Sequence, residues 1–280
     1  MSATKAFGLA GIIGWPVAHS RSPVVHNHWL AEHGLPGSYV LLPVLPERLP
    51  AALAGLVALG FRGCNVTTPH KQAVMSLIEH VDPMAVRIGA VNTIVVQDDG
   101  SLRGFNNDGN GFVQGLRDVK PDWRPDDGPI VVVGAGGAAR AIVVALAAQG
   151  AREIRLVNRT HEKAQQLAAD LGPPIAAVRW EERGEALRGV ATLINATTQG
   201  SAGKPPLDLP LDALPREAIV GDAIYVPPET PLLAAARARG NRTANGLGML
   251  LNQARPAFEA WFGVMPSITP ALRRAVEATF

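Results

Sequence analysis

At 280 residues the chain exceeds the usual size of one domain, so two domains are expected. Hydrophobic residues at 47% are enough for packed cores, and charged residues at 18% keep the surface wet. The 26 basic side chains against 24 acidic ones leave +2, scattered along the chain, which argues against a nucleic-acid stripe or an anionic-lipid patch.

Phe7 to Ile13 reads as a buried strand with its exit turn at Trp15-Pro16. Only Lys5 precedes that apolar run, too little basic charge for a secretory signal, so a cytoplasmic location is expected. Cys64, the sole cysteine, excludes an internal disulfide and suits a reducing compartment. Val24 to His33 reads as a helix after Pro23, Ser38 to Val44 as a strand and Pro46 to Leu59 as a helix. Phe61 to Val66 is a third strand feeding a helix that starts near Pro69. Thr93 to Gln97 and Leu102 to Phe105 form a hairpin around Asp99-Gly100, and Gly109 to Leu116 a helix that Asp108 could cap. The alternation predicts an α/β domain with a partly parallel sheet.

After a Pro- and Asp-rich surface stretch, Pro121 to Pro129, the pattern becomes that of a nucleotide fold. Ile130 to Val133, Glu153 to Val157, Ala191 to Asn195 and Ala218 to Asp222 read as strands. Ala138 to Gln149, His161 to Leu171 and Pro231 to Arg239 read as helices between and after them. The apolar run Pro129 to Gln149 carries Arg140 and early glycines, which suits a strand, turn and helix better than a membrane span. Gly246 to Trp261 is a last helix that returns the chain to the first domain. The loop Ser201 to Pro210 carries no diagnostic motif.

The strongest local signal is Gly134-Ala135-Gly136-Gly137-Ala138-Ala139, a G-x-G-x-x-A turn between strand and helix. Gly134 permits the tight turn, Gly136 lets the backbone approach a pyrophosphate, and Ala139 allows close packing of helix on strand. The helix start then offers free N–H groups to phosphates. The next strand ends in Val157-Asn158-Arg159-Thr160, with Lys163 one turn on and no acidic residue at the tip. A carboxylate there would bond a ribose 2′-hydroxyl, whereas Arg159 and Lys163 attract a 2′-phosphate, so NADP is favoured over NAD.

Four polar blocks end apolar strands of the first domain: His19-Ser20-Arg21-Ser22-Pro23, Asn65-Val66-Thr67-Thr68-Pro69-His70-Lys71, Gly89-Ala90-Val91-Asn92-Thr93 and Asn106-Asn107-Asp108-Gly109. Ligands of α/β sheets gather at such strand ends, and a ring of hydroxyls and amides with one Lys and one Asp suits a polyhydroxylated ligand. Each block alone could be turn or capping chemistry. Seven histidines show no metal-ligand spacing, so no metal is expected, and Cys64 reads as core.

With Asn195-Ala196-Thr197, Asp222-x-x-Tyr225 and Asn245-Gly246-Leu247-Gly248-Met249 through Gln253, these blocks make a chain-long series that resembles the shikimate dehydrogenase family. The resemblance implies a discontinuous α/β substrate-binding and catalytic domain, 1–105 plus 246–280, and a Rossmann-type NADP-binding domain, 106–245. It implies that Ser20, Ser22 and Tyr225 bind a substrate carboxylate. Thr67, Lys71, Asn92, Asp108 and Gln253 would hold ring hydroxyls, with Asn65 supporting that pocket. The turn Gly134, Ala135, Gly136, Gly137, Ala138, Ala139 would hold NADP, together with Asn158, Arg159, Thr160 and Lys163. Asn195, Ala196, Thr197, Thr198, Gly246 and Met249 would lie near the nicotinamide. Asn107 departs from the family, many of whose members carry Thr there. Lys163 stands where some have a second Arg, keeping the charge but weakening bidentate phosphate recognition.

The implied activity is NADP-dependent interconversion of 3-dehydroshikimate and shikimate, a step toward chorismate and the aromatic amino acids. Lys71 and Asp108 resemble the family's catalytic pair, expected to meet beside the nicotinamide with the reacting hydroxyl between them. An unperturbed Lys titrates near about 10.4, so Lys71 is expected to protonate the developing alkoxide in reduction and to take the proton back in reverse. The alternatives are a paralogue acting on quinate or an aminated analogue, and a non-catalytic sensor, which the presence of Lys71, Asp108 and the glycine turn disfavours. The expected partner is a small molecule, without nucleic acid or membrane; a homodimer is left open.

Overall fold

In chain order, the strands and helices of the computed structural model, which describes residues 6–280, are β1 (Gly8–Gly14), α1 (Ser22–Glu32), β2 (Gly37–Pro43), α2 (Leu49–Ala58), β3 (Phe61–Val66), β4 (His80–Val81), α3 (Pro83–Ile88), β5 (Thr93–Val96), β6 (Leu102–Phe105), α4 (Asp108–Val119), β7 (Ile130–Val133), α5 (Gly137–Ala148), β8 (Ile154–Val157), α6 (His161–Leu171), β9 (Ile175–Val178), β10 (Thr192–Asn195), β11 (Ile219–Asp222), α7 (Pro231–Ala238), β12 (Arg242–Ala244), α8 (Gly246–Phe262) and α9 (Pro270–Glu277). By its internal contacts the chain divides into two units. One takes the residues up to Asn107 and those from Gln253 to Phe280, the other Asp108–Asn252, with the division falling inside α8.

The first unit holds a six-stranded sheet in the order β2-β1-β3-β5-β6-β4. β1 pairs in parallel with β2 and β3, whereas β5 runs antiparallel to both β3 and β6, so the sheet is mixed. On one side Leu49, Leu53 and Leu56 of α2 close over Ile13, Cys64, Val66 and Ile94. A second cluster joins His26 and Trp29 of α1, Tyr39 of β2, and Phe258 and Trp261 of α8, with the His26 ring stacked on Tyr39 at 4.2 Å. Two indoles also anchor backbone there: Trp29 Nε1 donates to Ser267 O at 2.9 Å and Trp261 Nε1 to Ile94 O at 2.9 Å. Large aromatic area with each N–H satisfied is how such residues stay buried without loss.

The helix expected near Pro69 does not form; only a single 3₁₀ turn, Ala73–Ser76, follows. The cause is local. Val74 N reaches His70 O in α-helical fashion, but the Lys71 carbonyl is taken by Val91 N at 2.8 Å, so the ladder cannot continue through it. Lys71 therefore lies in a turn, and the helix start that the sequence placed near it is absent.

The second unit is an all-parallel sheet in the order β12-β11-β10-β7-β8-β9, in which every neighbouring pair is parallel. Counted along the chain this is the 3-2-1-4-5-6 arrangement of a doubly wound nucleotide fold, with the first strand, β7, at its centre. All four residues of β7 are buried, as expected for a strand covered on both faces. Helix α4 approaches α8 through glycines: a Cβ on Gly115 would lie 3.1 Å from the Gly248 backbone. Asp108 is the first residue of α4 rather than the residue before it, which puts a carboxylate at the helix's positive end.

Candidate active site

In the first unit β3 and β5 are paired so that Asn65 stands opposite Thr93, which brings the expected Asn65 and Asn92 blocks together at one end of the sheet. The Asn65 side chain accepts from Tyr39 Oη at 2.6 Å and donates to Asn92 O at 3.1 Å and Thr93 Oγ1 at 3.2 Å. Thr93 Oγ1 donates to Asn92 Oδ1 at 2.8 Å, which also accepts from Asn107 N at 3.0 Å. Asn92 Nδ2 donates to Gln253 Oε1 at 3.3 Å, joining the start of this unit's share of α8 to the strand ends. Asn65, Asn92, Thr93 and Gln253 are all buried. Amides and hydroxyls held out of water must bond one another or a ligand, and here they fix each other's orientation.

Lys71 is tethered to the same place by its backbone, since its carbonyl accepts from the residue before Asn92. Thr67 follows β3 directly, its N–H donating to Ile13 O at 2.9 Å. Ser20 lies just before α1 and Ser22 is its first residue, Ser22 N donating to Ser20 Oγ at 3.3 Å. Arg21 between them ties that loop to the chain's end through Thr279 O at 2.6 Å. Asn107 donates its Nδ2 to Thr93 Oγ1 at 3.2 Å and so joins the network with an amide.

Sequence reasoning missed Tyr39 and gave Thr93, named only as the end of a polar block, no role of its own; both complete the hydrogen bonds of the expected residues. Tyr39 gave one signal, a rare tyrosine in an otherwise apolar strand. Burial lifts its phenol well above the ordinary value and keeps it a neutral donor. Burial likewise pushes the Cys64 thiol up, away from the reactive thiolate. For His26 burial acts in the other direction, lowering the imidazole to about 3. Asn65 partly opposes that shift, although no hydrogen bond of ordinary geometry reaches either ring nitrogen.

In the second unit the turn after β7 has the form its sequence requires. Gly134 sits at φ +117°, in the region open to glycine, with its N–H bonded to Val157 O at 2.8 Å. Nothing lies within 4 Å of a Cβ built on Gly136 or Gly137, so the space above the turn is open to a phosphate group, while Ala139 is fully buried against the sheet. A cleft of about 400 Å³ runs from Ala135 and Gly136 along Asn158, Arg159, Thr160 and Lys163. Its remaining wall is Val133, Trp180, Thr197, Thr198, Gln199, Lys204 and Pro205. No carboxylate lines it, and among the described residues Arg159, Lys163 and Lys204 form no ion pair. A nucleotide carrying phosphates fits this combination of open glycine backbone and uncompensated positive charge.

Asn195, expected near the nicotinamide, is completely buried and acts as a clip for the turn that follows it. Its Oδ1 accepts from Thr197 N at 3.0 Å and Thr197 Oγ1 at 2.8 Å, and its Nδ2 donates to Gln199 O and Asp222 Oδ1, both at 3.1 Å. Asp222 accepts further from Ile224 N at 3.0 Å and Thr230 Oγ1 at 2.8 Å. Burial nevertheless raises this carboxyl to about 6, outweighing the hydrogen bonds that favour its charged form. Tyr225 follows β11 by three residues, and Gly246 and Met249, at the start of α8, are outside the lining of the cleft. Trp180, Gln199 and Lys204 line it without having been expected. Among the described residues no helix is long and apolar enough to cross a membrane, and no group of His, Cys, Asp or Glu gathers as metal ligands would.

Three family models match the chain in order. They describe a shikimate dehydrogenase substrate binding domain over residues 12–94, a shikimate / quinate 5-dehydrogenase over 123–202, and a shikimate 5′-dehydrogenase C-terminal domain over 246–277. A shikimate dehydrogenase (NADP(+)) of Paramagnetospirillum magneticum is 55% identical over 268 residues, covering 96% of this chain and 97% of its own. The chain belongs to the shikimate dehydrogenase family. Among solved members, a quinate dehydrogenase from Corynebacterium glutamicum in complex with NAD superposes with a TM-score of 0.90 at 31% identity, over 98% of this chain and 100% of that one. A shikimate 5-dehydrogenase from Thermus thermophilus in complex with NADP(H) and shikimate gives 0.86 at 37% identity, again over 98% and 100%.

Proposed function

We propose that this chain is an NADP-dependent oxidoreductase that interconverts 3-dehydroshikimate and shikimate. The observation that carries the reading is the buried amide and hydroxyl network centred on Asn92, with the Lys71 backbone fastened beside it and the cation-lined cleft in the cofactor unit. Residues 1–105 and 246–280 are assigned to substrate and catalysis, and 106–245 to the cofactor.

Ser20, Ser22 and Tyr225 hold the substrate carboxylate, each supplying a hydroxyl donor. Thr67, Asn92 and Gln253 hold ring hydroxyls, with orientations that the Asn65 network fixes before substrate arrives, and such fixed orientation lowers the cost of reaching the reactive geometry. NADP, held by the Gly134–Ala139 turn with Asn158, Arg159, Thr160 and Lys163, supplies the hydride acceptor or donor when bound. Oxidation of the alcohol requires its hydroxyl proton to leave, and Lys71 Nζ takes it; in reduction the Lys71 ammonium returns it to the carbonyl oxygen. Asp108 accepts a hydrogen bond from the same hydroxyl and orients it toward Lys71. The reading places the enzyme in the cytoplasm.

Quinate is the second candidate, favoured by the likeness to the NAD-bound quinate dehydrogenase. Arg159 and Lys163 after β8, with no acid at the strand tip, weigh against NAD. Following reduced cofactor with shikimate, quinate and a blank, each with NADP and with NAD, tests the reading. Shikimate with NADP should give the highest kcat/KM by at least about tenfold, on the order of one charge-assisted contact. Equal or higher efficiency with quinate and NAD would replace the reading by its rival.

A further inference from the structure

The loop after β10 has no recognisable motif, yet it delivers a cation into the cofactor cleft. We propose that Lys204 is a specificity residue for the cofactor, binding the 2′-phosphate of the dinucleotide from the side opposite Arg159 and Lys163. The inference rests on the NADP reading above.

The placement follows from topology. β8 and β10 flank β7 on its two sides, so residues that follow them stand on either side of the glycine turn that follows β7. Arg159 and Lys163 come from the β8 side, and Lys204 from the β10 side of the same cleft. The loop that carries Lys204 is closed on itself: Gly200 N donates to Pro205 O at 2.8 Å, Lys204 N to Ser201 O at 2.9 Å and Ala202 N to Val226 O at 3.2 Å. A lysine on a loop bonded in this way keeps its backbone at the cleft, and only its side chain must be ordered on binding.

The charge pattern supplies the second argument. Three cations share one cleft with no carboxylate in its lining and, among the described residues, no ion pair of their own, an arrangement that repels itself until an anion arrives. The pyrophosphate already has backbone N–H groups of the glycine turn and the positive end of α5. The 2′-phosphate, with roughly −1.5 to −2 charges at neutral pH, has no such backbone cradle and must be neutralised by side chains. Arg159 supplies a planar fork, but Lys163 is a point charge that cannot form a second one, so a third cation completes the neutralisation.

Calorimetric titration of the chain with 2′,5′-ADP and with 5′-AMP, which differs from it only in lacking the 2′-phosphate, separates the possibilities without turnover. The wild-type chain should prefer 2′,5′-ADP. Lys204→Ala should weaken 2′,5′-ADP about five- to tenfold and 5′-AMP less than about twofold, with the gap narrowing at high salt. Lys204→Arg should restore the preference, and in turnover Lys204→Ala should raise KM for NADP with kcat unchanged. Since Lys204 is exposed, an unchanged melting temperature is expected and serves as the folding control. A full 2′,5′-ADP preference in Lys204→Ala, or equal losses for both nucleotides, would overturn the assignment of Lys204 alone. A wild-type chain without preference for 2′,5′-ADP would overturn the NADP reading with it.

Discussion

Each unit buries an ionisable side chain whose charged form burial disfavours, and the two are of opposite kind. In the first unit it is a base, His26, stacked on Tyr39 and held at about 3 by burial. In the second it is an acid, Asp222, raised to about 6 although it accepts three hydrogen bonds. Desolvation wins in both, and both groups are pushed toward their neutral forms. The polar surfaces differ in the same instructive way. Around Asn92 the amides and hydroxyls satisfy one another, which suits a neutral, many-hydroxyl ring that exchanges one hydrogen bond for another. In the cofactor cleft the cations stay uncompensated, which suits an anion.

The largest effect expected from this contrast is acid sensitivity arising in the first unit. His26 is neutral in both folded and unfolded chains above about pH 6.5, so its contribution is fully present there and is lost as pH falls toward 3. The loss is about 1.4 kcal/mol per pH unit, up to about 5 kcal/mol in all. Denaturant unfolding from pH 7 to pH 4 should show this slope in the wild-type chain and lose it in His26→Phe, which keeps the ring stack. An unchanged slope would mean that His26 finds a partner for its proton.

The second unit should respond in the opposite sense and less strongly. Asp222 has its pKa raised on folding, so its stabilising contribution is complete below about pH 4 and disappears as pH rises through about 6. The span is on the order of 3 kcal/mol. Asp222→Asn should remove that decline, and the two groups should partly cancel between pH 4 and 6 in the wild-type chain. The single variants would then reveal slopes of opposite sign. Slopes of the same sign would break the comparison.

Much of this architecture was legible because its signals are local. Phe61–Val66, Ile130–Val133 and His161–Leu171 have the bounds that periodicity and turn residues gave them, and the glycine turn needs only its own φ and the space above it. The elements that escaped notice are short or depend on neighbours. β4 has two residues and β12 three, too few for alternation to register, and each is a strand only because its neighbour offers a free edge. Helix α9 went unread as well, although Thr269-Pro270 opens it and Thr269 Oγ1 accepts from Leu272 N at 3.2 Å. At the site, Asn65, Asn92 and Lys71 were legible as a set of residue types. The roles of Tyr39, Thr93, Asp222 and Lys204 were not, even where the residue stood in a named motif, because partners set them: a phenol aimed at Asn65, a carboxylate under Asn195, a lysine on a loop folded back toward the nucleotide turn.

Proton handling by Lys71 is the central claim, and one variant tests it. In Lys71→Ala, turnover of shikimate with NADP should fall by about a hundredfold or more, the scale of a lost general acid, while calorimetric affinity for NADP stays within about twofold of wild type. A loss of only a few-fold in turnover, or a fall in NADP affinity that matches the loss of rate, would contradict the account.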